Sequence, residues 1–317
     1  MTDGAKKKIL IDTDPGIDDS MAILLAFASP EIDVVGLSTV FGNTGGDVTT
    51  QNALRLVELA GRPDIPVARG AEKPLLRPFT GKGWHVHGKN GLGEVEFPEP
   101  KVQPDKRRAA TFIIDTIMAN PGEITLVPLG PLTNVALAVA TEPRIAANVK
   151  EVVLMGGAAS VPGNASPVAE ANIRNDPEAA HIVFHAGWPV TMIGLDVTMK
   201  TKMTRDDLDR LKAANSPWTD FIHAVTRHYL NFYESLGITD GMPIHDSSAM
   251  AYVIDPSLFE TKHVYTDVDH QSEHHHGQTV PDWRGQRERD PNVNVALDVD
   301  SDRFLAMYER RLTEARP

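Results

Sequence analysis

The chain has 317 residues, a formal net charge of −12 at pH 7 and no cysteine. The negative charge argues against nucleic acid or an anionic membrane as a partner, because both present phosphate groups that an acidic surface repels. The lack of cysteine excludes disulfides, thiolate nucleophiles and zinc–thiolate sites, and with no secretion signal or long apolar run we expect a cytoplasmic protein.

Five runs rich in Val, Ile and Leu predict strands that are buried on both faces, as in a parallel sheet. In chain order they are KKILID, IDVVGLSTVFG, ITLVPLG, EVVLMGG and PVTMIGLDV. Two segments between them carry helix end signals, with a capping Asp at the start and a Gly at the end; they are residues 47–61 and 176–187. We therefore predict one α/β domain over residues 1–317, with a mostly parallel, Rossmann-like central sheet flanked by helices.

Residues 261–286 resemble strands joined by a Gly-containing turn, which predicts a small antiparallel edge on the same unit. Within them lie three consecutive histidines, His274, His275 and His276, which could suggest a metal site. Adjacent residues of a strand point to opposite faces and cannot all bind one ion. A solvated turn is therefore the favoured interpretation of this tract.

The first predicted strand runs into a helix in the sequence KKKILIDTDPGIDDSMAILLAF. Four aspartates lie at that junction: Asp12, Asp14, Asp18 and Asp19. Asp14 precedes Pro15 and Gly16, so it could cap the helix, and the others could be acids favoured by the dipole of a first turn. That interpretation accounts for one or two acids but not for four.

Like charges this close together cost free energy. Two of them about 4 Å apart repel by roughly 4 kcal/mol at an effective dielectric constant near 20. Either some of the carboxyl groups keep their protons, with strongly raised pKa values, or a hard cation lies among them. With oxygen ligands and no thiolate, that cation would be calcium or magnesium rather than zinc or copper.

Further polar residues follow the later strands, at the sheet edge where ligands bind in open α/β folds. Asn43 follows the second strand, and the GPLTN and MGGAASVPGN segments follow the next two runs. Far downstream, Asp246 could cap a helix and His245 could be a partly buried imidazole. Taken with the aspartates, Asp246 becomes a further metal ligand and His245 a proton donor.

The chain contains six segments in this order: DTDPGIDD, FGN, LVPLGPLTN, EVVLMGG, GNASPVAEANI with DPEAAHIVF, and HDSSAMAYVIDP. In order and approximate spacing they resemble the nucleoside hydrolases, the inosine–uridine-preferring N-ribohydrolase family, from about Lys7 to beyond Val299. The resemblance implies that a purine or pyrimidine ribonucleoside is hydrolysed to free base and ribose. It also implies a bound Ca²⁺ and a homodimer or homotetramer.

The resemblance implies roles for individual residues as well. Asp14 matches the general base for the attacking water, and His245 matches the proton donor to the departing base. Four residues match the family's calcium ligands: Asp14, Asp19, Leu129 and Asp246. Leu129 would act through its main-chain carbonyl. Asp12 and Asp18 match acids near the metal and the ribose. Calcium can hold the sugar diol and the attacking water together, and carboxylates stabilise an oxocarbenium-like sugar.

Substrate contacts would fall to a further set of residues. For ribose the set is Asp18, Asn43, Asn164, Glu170 and Asn172, with Met155 packing near the sugar. Tyr229 and Tyr233, one helical turn apart, resemble base-side tyrosines of broad-specificity members, and His87 resembles a histidine of a loop that closes over the ligand. The residue types alone also allow plainer roles: a turn at Asn164, core packing at Met155 and the tyrosines, and a surface loop around His87.

Two other classes of protein fit part of this pattern. A magnesium-dependent phosphotransferase with an aspartyl nucleophile also places DxD after its first strand, but it normally continues with Gly-Thr and needs a basic residue for the phosphate. A non-catalytic nucleoside- or sugar-binding protein would usually carry a secretion signal. Both alternatives are weaker than the hydrolase.

Overall fold

The computed structural model describes residues 5–81 and 83–315, and at its centre lies an eight-stranded sheet. In spatial order its strands are β3 (Val67–Arg69), β2 (Ile32–Thr39), β1 (Lys7–Thr13), β4 (Ile124–Pro128), β5 (Glu151–Met155), β6 (Val190–Ile193), β12 (Val293–Val299) and β9 (Phe259–Val264). Neighbouring strands run parallel except at the end, where β9 is antiparallel to β12. The predicted fold class, including an antiparallel edge, is confirmed.

Two small antiparallel sheets accompany the large one. One pairs β10 (Thr266–Val268) with β11 (Thr279–Pro281), and the other pairs β7 (Lys202–Met203) with β8 (Met242–Pro243). The segment predicted as one antiparallel edge is therefore divided, since only β9 joins the main sheet and the β10–β11 hairpin stands apart.

Helices cover both faces of the large sheet. They are α1 (Ile17–Phe27), α2 (Gly46–Leu59), α3 (Trp84–His87), α4 (Ala109–Ala119), α5 (Thr133–Thr141), α6 (Ile145–Asn148), α7 (Ala171–Asn175), α8 (Pro177–Phe184), α9 (Leu195–Thr198), α10 (Arg205–Lys212), α11 (Pro217–Ser235), α12 (His245–Ile254) and α13 (Ser301–Glu314). In β1, Ile9 and Ile11 belong to a core with α1, α2, α11 and α12, while Leu10 belongs to a second core with α4, α5 and α8. This alternation is what a strand buried on both faces requires.

Some of the predicted helix ends are confirmed and one is not. Asp176 caps α8 by accepting a hydrogen bond from the Ala179 amide at 3.2 Å, with Pro177 at the first position. Gly61 follows α2 with a left-handed φ of 67°, as a terminating glycine does. Asp47 is not the cap of α2, because Gly45 takes that position and the Asp47 carboxylate pairs with Arg69 instead.

The two acids that could have been helix caps are not caps either. Gly16 precedes α1, and its amide donates to the Asp19 carboxylate at 3.0 Å, so an acid inside the first turn does the capping. Asp246 is the second residue of α12, after Ile244 at the cap position. The carboxylates of Asp14 and Asp246 are thus left for other contacts.

The strand order reverses next to β1. From β1 the chain builds outward to β2 and β3 on one side and to β4, β5 and β6 on the other. Such a reversal opens a crevice at the carboxyl ends of the strands, where ligands bind in this class of fold. Across residues 5–81 and 83–315, the helices are all too short or too polar to span a lipid bilayer.

Candidate active site

A cavity of about 770 Å³ opens at the carboxyl ends of the central strands. Its walls contain twelve of the residues expected from the sequence: Asp18, Asn43, His87, Leu129, Met155, Asn164, Glu170, Asn172, Tyr229, Tyr233, His245 and Asp246. The other three, Asp12, Asp14 and Asp19, are buried and do not line it. Segments separated by more than two hundred residues therefore meet in one place.

Three carboxylates meet at one point of this cavity. Asp18, Asp19 and Asp246 each place an oxygen within 4.8 Å of the others, and all three side chains are buried. We call them the acid cluster. Among the described residues, no Lys or Arg pairs with these carboxylates, and the nearest basic group is the imidazole of His87, whose Nδ1 lies 3.8 Å from Asp18 Oδ1.

Burial and mutual repulsion make these acids hard to ionise. Desolvation raises the pKa of Asp18 to about 6 and, with the added charge of Asp18, that of Asp19 to about 6. The pKa values of Asp14 and Asp246 are raised well above their usual range by desolvation and then by neighbouring carboxylates. Within residues 5–81 and 83–315, Asp14 Oδ1 and Asp18 Oδ1 are buried and have no hydrogen-bond partner. Buried anionic oxygens that lack donors suit a hard divalent cation, so the residues present fit a metal site.

Asp14 is held in a narrow space between two glycines. The Asn43 amide donates to Asp14 Oδ2 at 2.6 Å. A Cβ atom on Gly42 would lie 2.0 Å from Asp14 Oδ2, and one on Gly130 would lie 2.3 Å from Asp14 Oδ1. Only glycine at both positions leaves room for the carboxylate in this orientation. The sequence carries the signal, since each glycine follows a predicted strand, but sequence analysis did not identify it.

Asp19 is fixed by donors on both of its oxygens. The Thr13 hydroxyl donates to Oδ1 at 2.5 Å, while the Gly16 amide and the Asn43 side chain donate to Oδ2 at 3.0 and 2.9 Å. Asn43 Nδ2 also donates to the Asp14 carbonyl at 3.2 Å. Asn43 therefore orients two of the acids in addition to lining the cavity, and its contact with ribose stays a prediction.

Asp12 lies behind the acid cluster. Its Oδ1 accepts hydrogen bonds from Ser38 Oγ at 2.6 Å and from Asn134 Nδ2 at 2.8 Å, and desolvation raises its pKa to about 7. Asn134 also donates to the Thr39 carbonyl and accepts from the Ala71 amide. This asparagine of the GPLTN segment joins three strand ends, a role that sequence analysis missed.

One wall of the cavity carries a chain of hydrogen bonds. Tyr229 donates to Asp18 Oδ2 at 3.2 Å, the two tyrosine hydroxyls are 3.5 Å apart, the Tyr233 hydroxyl is 2.8 Å from His245 Nε2, and His245 Nδ1 is 2.7 Å from Thr198 Oγ1. An ionised Asp18 can only accept, so the chain is oriented with Tyr233 donating to Tyr229 and His245 Nε2–H donating to Tyr233. Burial lowers the pKa of His245 to about 3, so its imidazole is neutral.

The opposite wall is built around a buried amide. Asn172 Nδ2 donates to the carbonyls of Leu129 at 2.7 Å and Met155 at 3.1 Å, at the ends of β4 and β5. Glu170 caps α7 and accepts from the amides of residues 157, 172 and 173. Asn164 Oδ1 accepts from the Ala171 amide at 3.0 Å. These contacts place the Leu129 carbonyl at the cavity.

His87 lies in the short helix α3 and is buried, so it does not belong to an ordinary surface loop. Its Nδ1 accepts from the Ile17 amide at 3.1 Å, and burial lowers its pKa to about 4. The Gly-rich segment that contains it begins at Lys82, which lies outside the described residues. Closure of this segment over a ligand stays a prediction.

Both loops and helices supply cavity residues that the sequence pattern did not reveal. Arg77, Phe79 and His276 come from loops, whereas Arg174 is in α7 and Phe232 is in α11. The histidine tract forms the expected turn between β10 and β11, with His274 and His275 exposed, but His276 turns inward and lines the cavity. Nothing in their local sequence marks these residues, because long-range packing brings them to the rim.

Comparison with known proteins agrees with this geometry. A family model described as inosine-uridine preferring nucleoside hydrolase matches residues 9–306. The protein of that description from Crithidia fasciculata is 44% identical over 303 residues, which cover 95% of this chain and 96% of the relative. A probable uridine nucleosidase 2 of Arabidopsis thaliana is 45% identical over 327 residues, covering 99% and 100%.

A solved structure is also similar to this chain along nearly its whole length. The purine-preferring ribonucleoside hydrolase from Gardnerella vaginalis superimposes with a TM-score of 0.93 at 34% identity, over 97% of this chain and 98% of that one. The chain belongs to the inosine-uridine preferring nucleoside hydrolase family, whose members are hydrolases of N-glycosyl bonds.

Proposed function

We propose that the protein hydrolyses ribonucleosides to free base and ribose with a bound Ca²⁺, with Asp14 as general base and His245 as the source of the proton for the leaving base. The observation that carries this proposal is the acid cluster beside Asp14, with a hydrogen-bonded imidazole in the wall of the same cavity.

The calcium ligands would be carboxylates of Asp14, Asp19 and Asp246 and the carbonyl of Leu129, with Asp18 next to them. Support comes from the two buried orphan oxygens of Asp14 and Asp18 and from a donor set made only of oxygens. When bound, Ca²⁺ supplies positive charge that favours ionised carboxylates, binds sugar hydroxyls and lowers the pKa of water.

Asp14 suits a general base because its basicity is raised and its orientation is fixed. Desolvation raises its pKa, which strengthens its affinity for a proton, and the Asn43 amide holds the carboxylate in the space that the two glycines leave open. One oxygen accepts the Asn43 amide, and the other has no donor among the described residues and can take a proton from water.

The proton for the leaving base would pass along the wall of the cavity that contains Tyr229, Tyr233 and His245, which we call the tyrosine wall. The chain ends at Asp18 and is oriented toward it, so Tyr233 receives a hydrogen bond from His245 and can pass a proton onward. A purine or pyrimidine nitrogen that carries developing negative charge would take this proton through Tyr233, while the neutral His245 takes up a proton from water at Nδ1, so that its ring does not become an anion. The hydroxyl of Thr198 on His245 Nδ1 keeps the ring in one orientation.

The sugar would lie between the acid cluster and the Glu170–Asn172 wall. Loss of the base leaves positive charge on the sugar ring, and the nearby carboxylates stabilise that charge. Direct attack by water without a covalent intermediate predicts inversion at the anomeric carbon.

The base preference is proposed as broad. Relatives at similar identity are described as inosine-uridine preferring and as a uridine nucleosidase, while a structural neighbour is described as purine-preferring. Two tyrosines and Phe232 line the cavity, and aromatic faces accept either kind of base.

The test is release of free base from inosine and from uridine in phosphate-free buffer with Ca²⁺. Asp14→Asn should lower kcat by at least about 10³-fold, near the upper range for loss of a general base, while Ca²⁺ stays bound by calorimetry. Asp206→Asn, which changes an exposed aspartate of α10, serves as the matched control and should keep full activity.

Two results would refute the proposal. Strict dependence on phosphate would indicate a phosphorylase, and nucleoside binding without base release would indicate a binding protein. We further propose a cytoplasmic homodimer or homotetramer, as the family resemblance implies, which light scattering on the purified protein tests.

A further inference from the structure

A second group of possible metal ligands lies outside the cavity, at the end of α8 and on β10. His181 is in the last turn of α8, His185 directly follows that helix, and Asp267 is in β10. Each offers one ligand atom within 4.8 Å of the others. We call these three residues the histidine cluster. None of them lines the cavity.

The distances in the histidine cluster are close to those of a zinc site. His181 Nδ1 lies 2.9 Å from Asp267 Oδ1, and His185 Nε2 lies 3.9 Å from the same oxygen. Ligand atoms of a tetrahedral site with bonds near 2.0 Å are about 3.3 Å apart. The two observed separations lie on either side of that value, so small side-chain rotations suffice.

A hydrogen bond already selects the nitrogen that His185 would offer to a metal, whereas His181 Nδ1 donates to Asp267 Oδ1 and would give up that proton on binding. His185 Nδ1 donates to the His181 carbonyl at 2.9 Å, which leaves the lone pair on Nε2, the nitrogen that faces Asp267. A carbonyl partner on the other ring nitrogen is how metal-binding histidines are usually oriented. The Tyr265 hydroxyl, 3.3 Å from Nε2, is a donor that an ion would displace.

A third imidazole lies next to this group. The ring of His270 packs against that of His181 with centroids 4.5 Å apart and an angle of 42° between the ring planes. His270 Nδ1 donates to the Val268 carbonyl at 3.2 Å, so its Nε2 also carries a free lone pair. The cluster is open to ions from solution, since the side chains of His181, His185 and Asp267 are 36%, 31% and 23% exposed.

A plain ion pair is the simpler explanation for part of this group. Arg287 Nη1 lies 3.4 Å from Asp267 Oδ2, and the Val268 amide donates to Oδ1. One histidine would satisfy such a pair, whereas here two imidazoles converge on one oxygen and a third packs against His181. Arg287 contacts the other carboxylate oxygen, so an ion at Oδ1 would replace only the hydrogen bond from His181.

We propose that His181, His185 and Asp267 bind a divalent transition metal of the zinc class, with His270 as a further ligand. Two or three imidazole nitrogens and one carboxylate oxygen favour zinc, cobalt, nickel or copper over calcium. The ion would join α8 to the β10–β11 hairpin, whose connecting residues Gln271, Ser272, Glu273 and His276 line the active cavity. Metal binding would thereby hold one rim of the cavity in place.

The experiment is calorimetric titration of Zn²⁺ into tag-free, full-length protein that is already saturated with Ca²⁺ at pH 7.5. We expect one Zn²⁺ per chain. His181→Gln, His185→Gln and Asp267→Asn should each weaken its binding by at least about tenfold, the scale set even by outer-shell contacts of metal sites. Co²⁺ in place of Zn²⁺ should give visible absorption bands that these variants lose.

The matched control replaces two exposed histidines of the same hairpin, His274→Gln with His275→Gln, and should leave Zn²⁺ affinity unchanged. Melting temperatures in Ca²⁺ without Zn²⁺ should be equal for all variants, which separates loss of a ligand from loss of fold. Equal Zn²⁺ affinity in the cluster variants, or loss of affinity in the control, would overturn the proposal. Base release by the Ca²⁺-loaded protein is measured separately and decides only the hydrolase proposal.

Discussion

The acid cluster and the histidine cluster each bring three ligand groups together, but they differ in what they need. The acid cluster is buried, made only of carboxylates, and has orphan oxygens beside it. In the histidine cluster, partly exposed side chains already satisfy one another through hydrogen bonds. The acid cluster is therefore costly without a cation at neutral pH, whereas the histidine cluster is stable with or without one. Burial, more than the number of ligands, separates a site that requires an ion from one that accepts it.

The largest effect is expected from disturbing Asp14 beside the acid cluster. Gly42→Ala should lower kcat by about 10²-fold or more, because its Cβ would lie 2.0 Å from the Asp14 carboxylate and a displacement of about 1 Å can cost that much. Gly45→Ala, three residues away with open space around its Cβ, should retain activity. Equal activity of the two variants in a base-release assay would show that the Asp14 carboxylate is not confined.

The next largest effect is expected from removing the imidazole of the tyrosine wall. His245→Ala should slow inosine hydrolysis by about 10²-fold, the lower range for loss of a general acid. A ribosyl substrate with a good leaving group should lose less than about tenfold, because it needs no proton. The measurement is kcat for both substrates on both proteins. Equal losses would remove His245 from the role of proton donor.

A third prediction uses pH to separate the clusters. The pKa values of Asp18 and Asp19 are raised to about 6, above the unfolded value near 4, so the stability they contribute is present at low pH and lost as pH rises through 6. Metal-free protein should therefore melt lower at pH 8 than at pH 5. Ca²⁺ should raise the melting temperature at pH 8 by about 7 °C, if it relieves one repulsion of about 4 kcal/mol.

Differential scanning fluorimetry after dialysis against a chelator tests this. The His181→Gln variant should show the same pH slope as the unsubstituted protein, since the histidine cluster lies elsewhere. A melting temperature that does not change between pH 5 and pH 8 in the absence of metal would contradict the proposed cost of ionising the carboxylates of the acid cluster.

The smallest effect is that of Zn²⁺ on the Ca²⁺-loaded protein. At a concentration of about 100 Kd, an ion that binds only the folded state adds about 2.7 kcal/mol, which corresponds to roughly 5 °C in melting temperature. We expect kcat for inosine to stay within about twofold, because the bound ion would touch only the rim of the cavity. A large loss of kcat would mean that Zn²⁺ displaces Ca²⁺ from the acid cluster and that the two sites are not selective.

The sequence predicted the parts of this molecule that local chemistry decides. Continuous apolar runs identified the central strands, and acids at strand ends identified the crevice, because parallel strands bring their carboxyl ends to one edge. The predicted helix cap at Asp47 was wrong, because Gly45 takes that position and a distant arginine pairs with the Asp47 carboxylate. The alternative that Asp14 caps the next helix fails as well, because the Asp19 carboxylate accepts the Gly16 amide instead. Such competition depends on the folded surroundings.

The features that the sequence did not reveal depend on contacts between residues that are far apart in the chain. The bonds of Asn134 and Asn172 join strand ends that are distant in the chain, and no spacing rule predicts them. In the histidine cluster, the spacing of His181 and His185 was visible in the sequence, but Asp267 lies 86 residues beyond His181. The adjacent HHH tract was the more conspicuous pattern, yet its three side chains do not converge on one point.

The hydrogen bonds of Asn172 have a consequence for the interpretation of variants. The oxygen that Leu129 presents to the cavity belongs to the peptide backbone, so replacing its side chain with any other aliphatic group leaves that oxygen in place. Mutational scanning would then report Leu129 as tolerant and Asn172 as sensitive, although both serve the same atom. Activity should therefore be sensitive to replacement of Asn172, whose amide orients the carbonyl, and insensitive to replacement of Leu129, to which the carbonyl belongs.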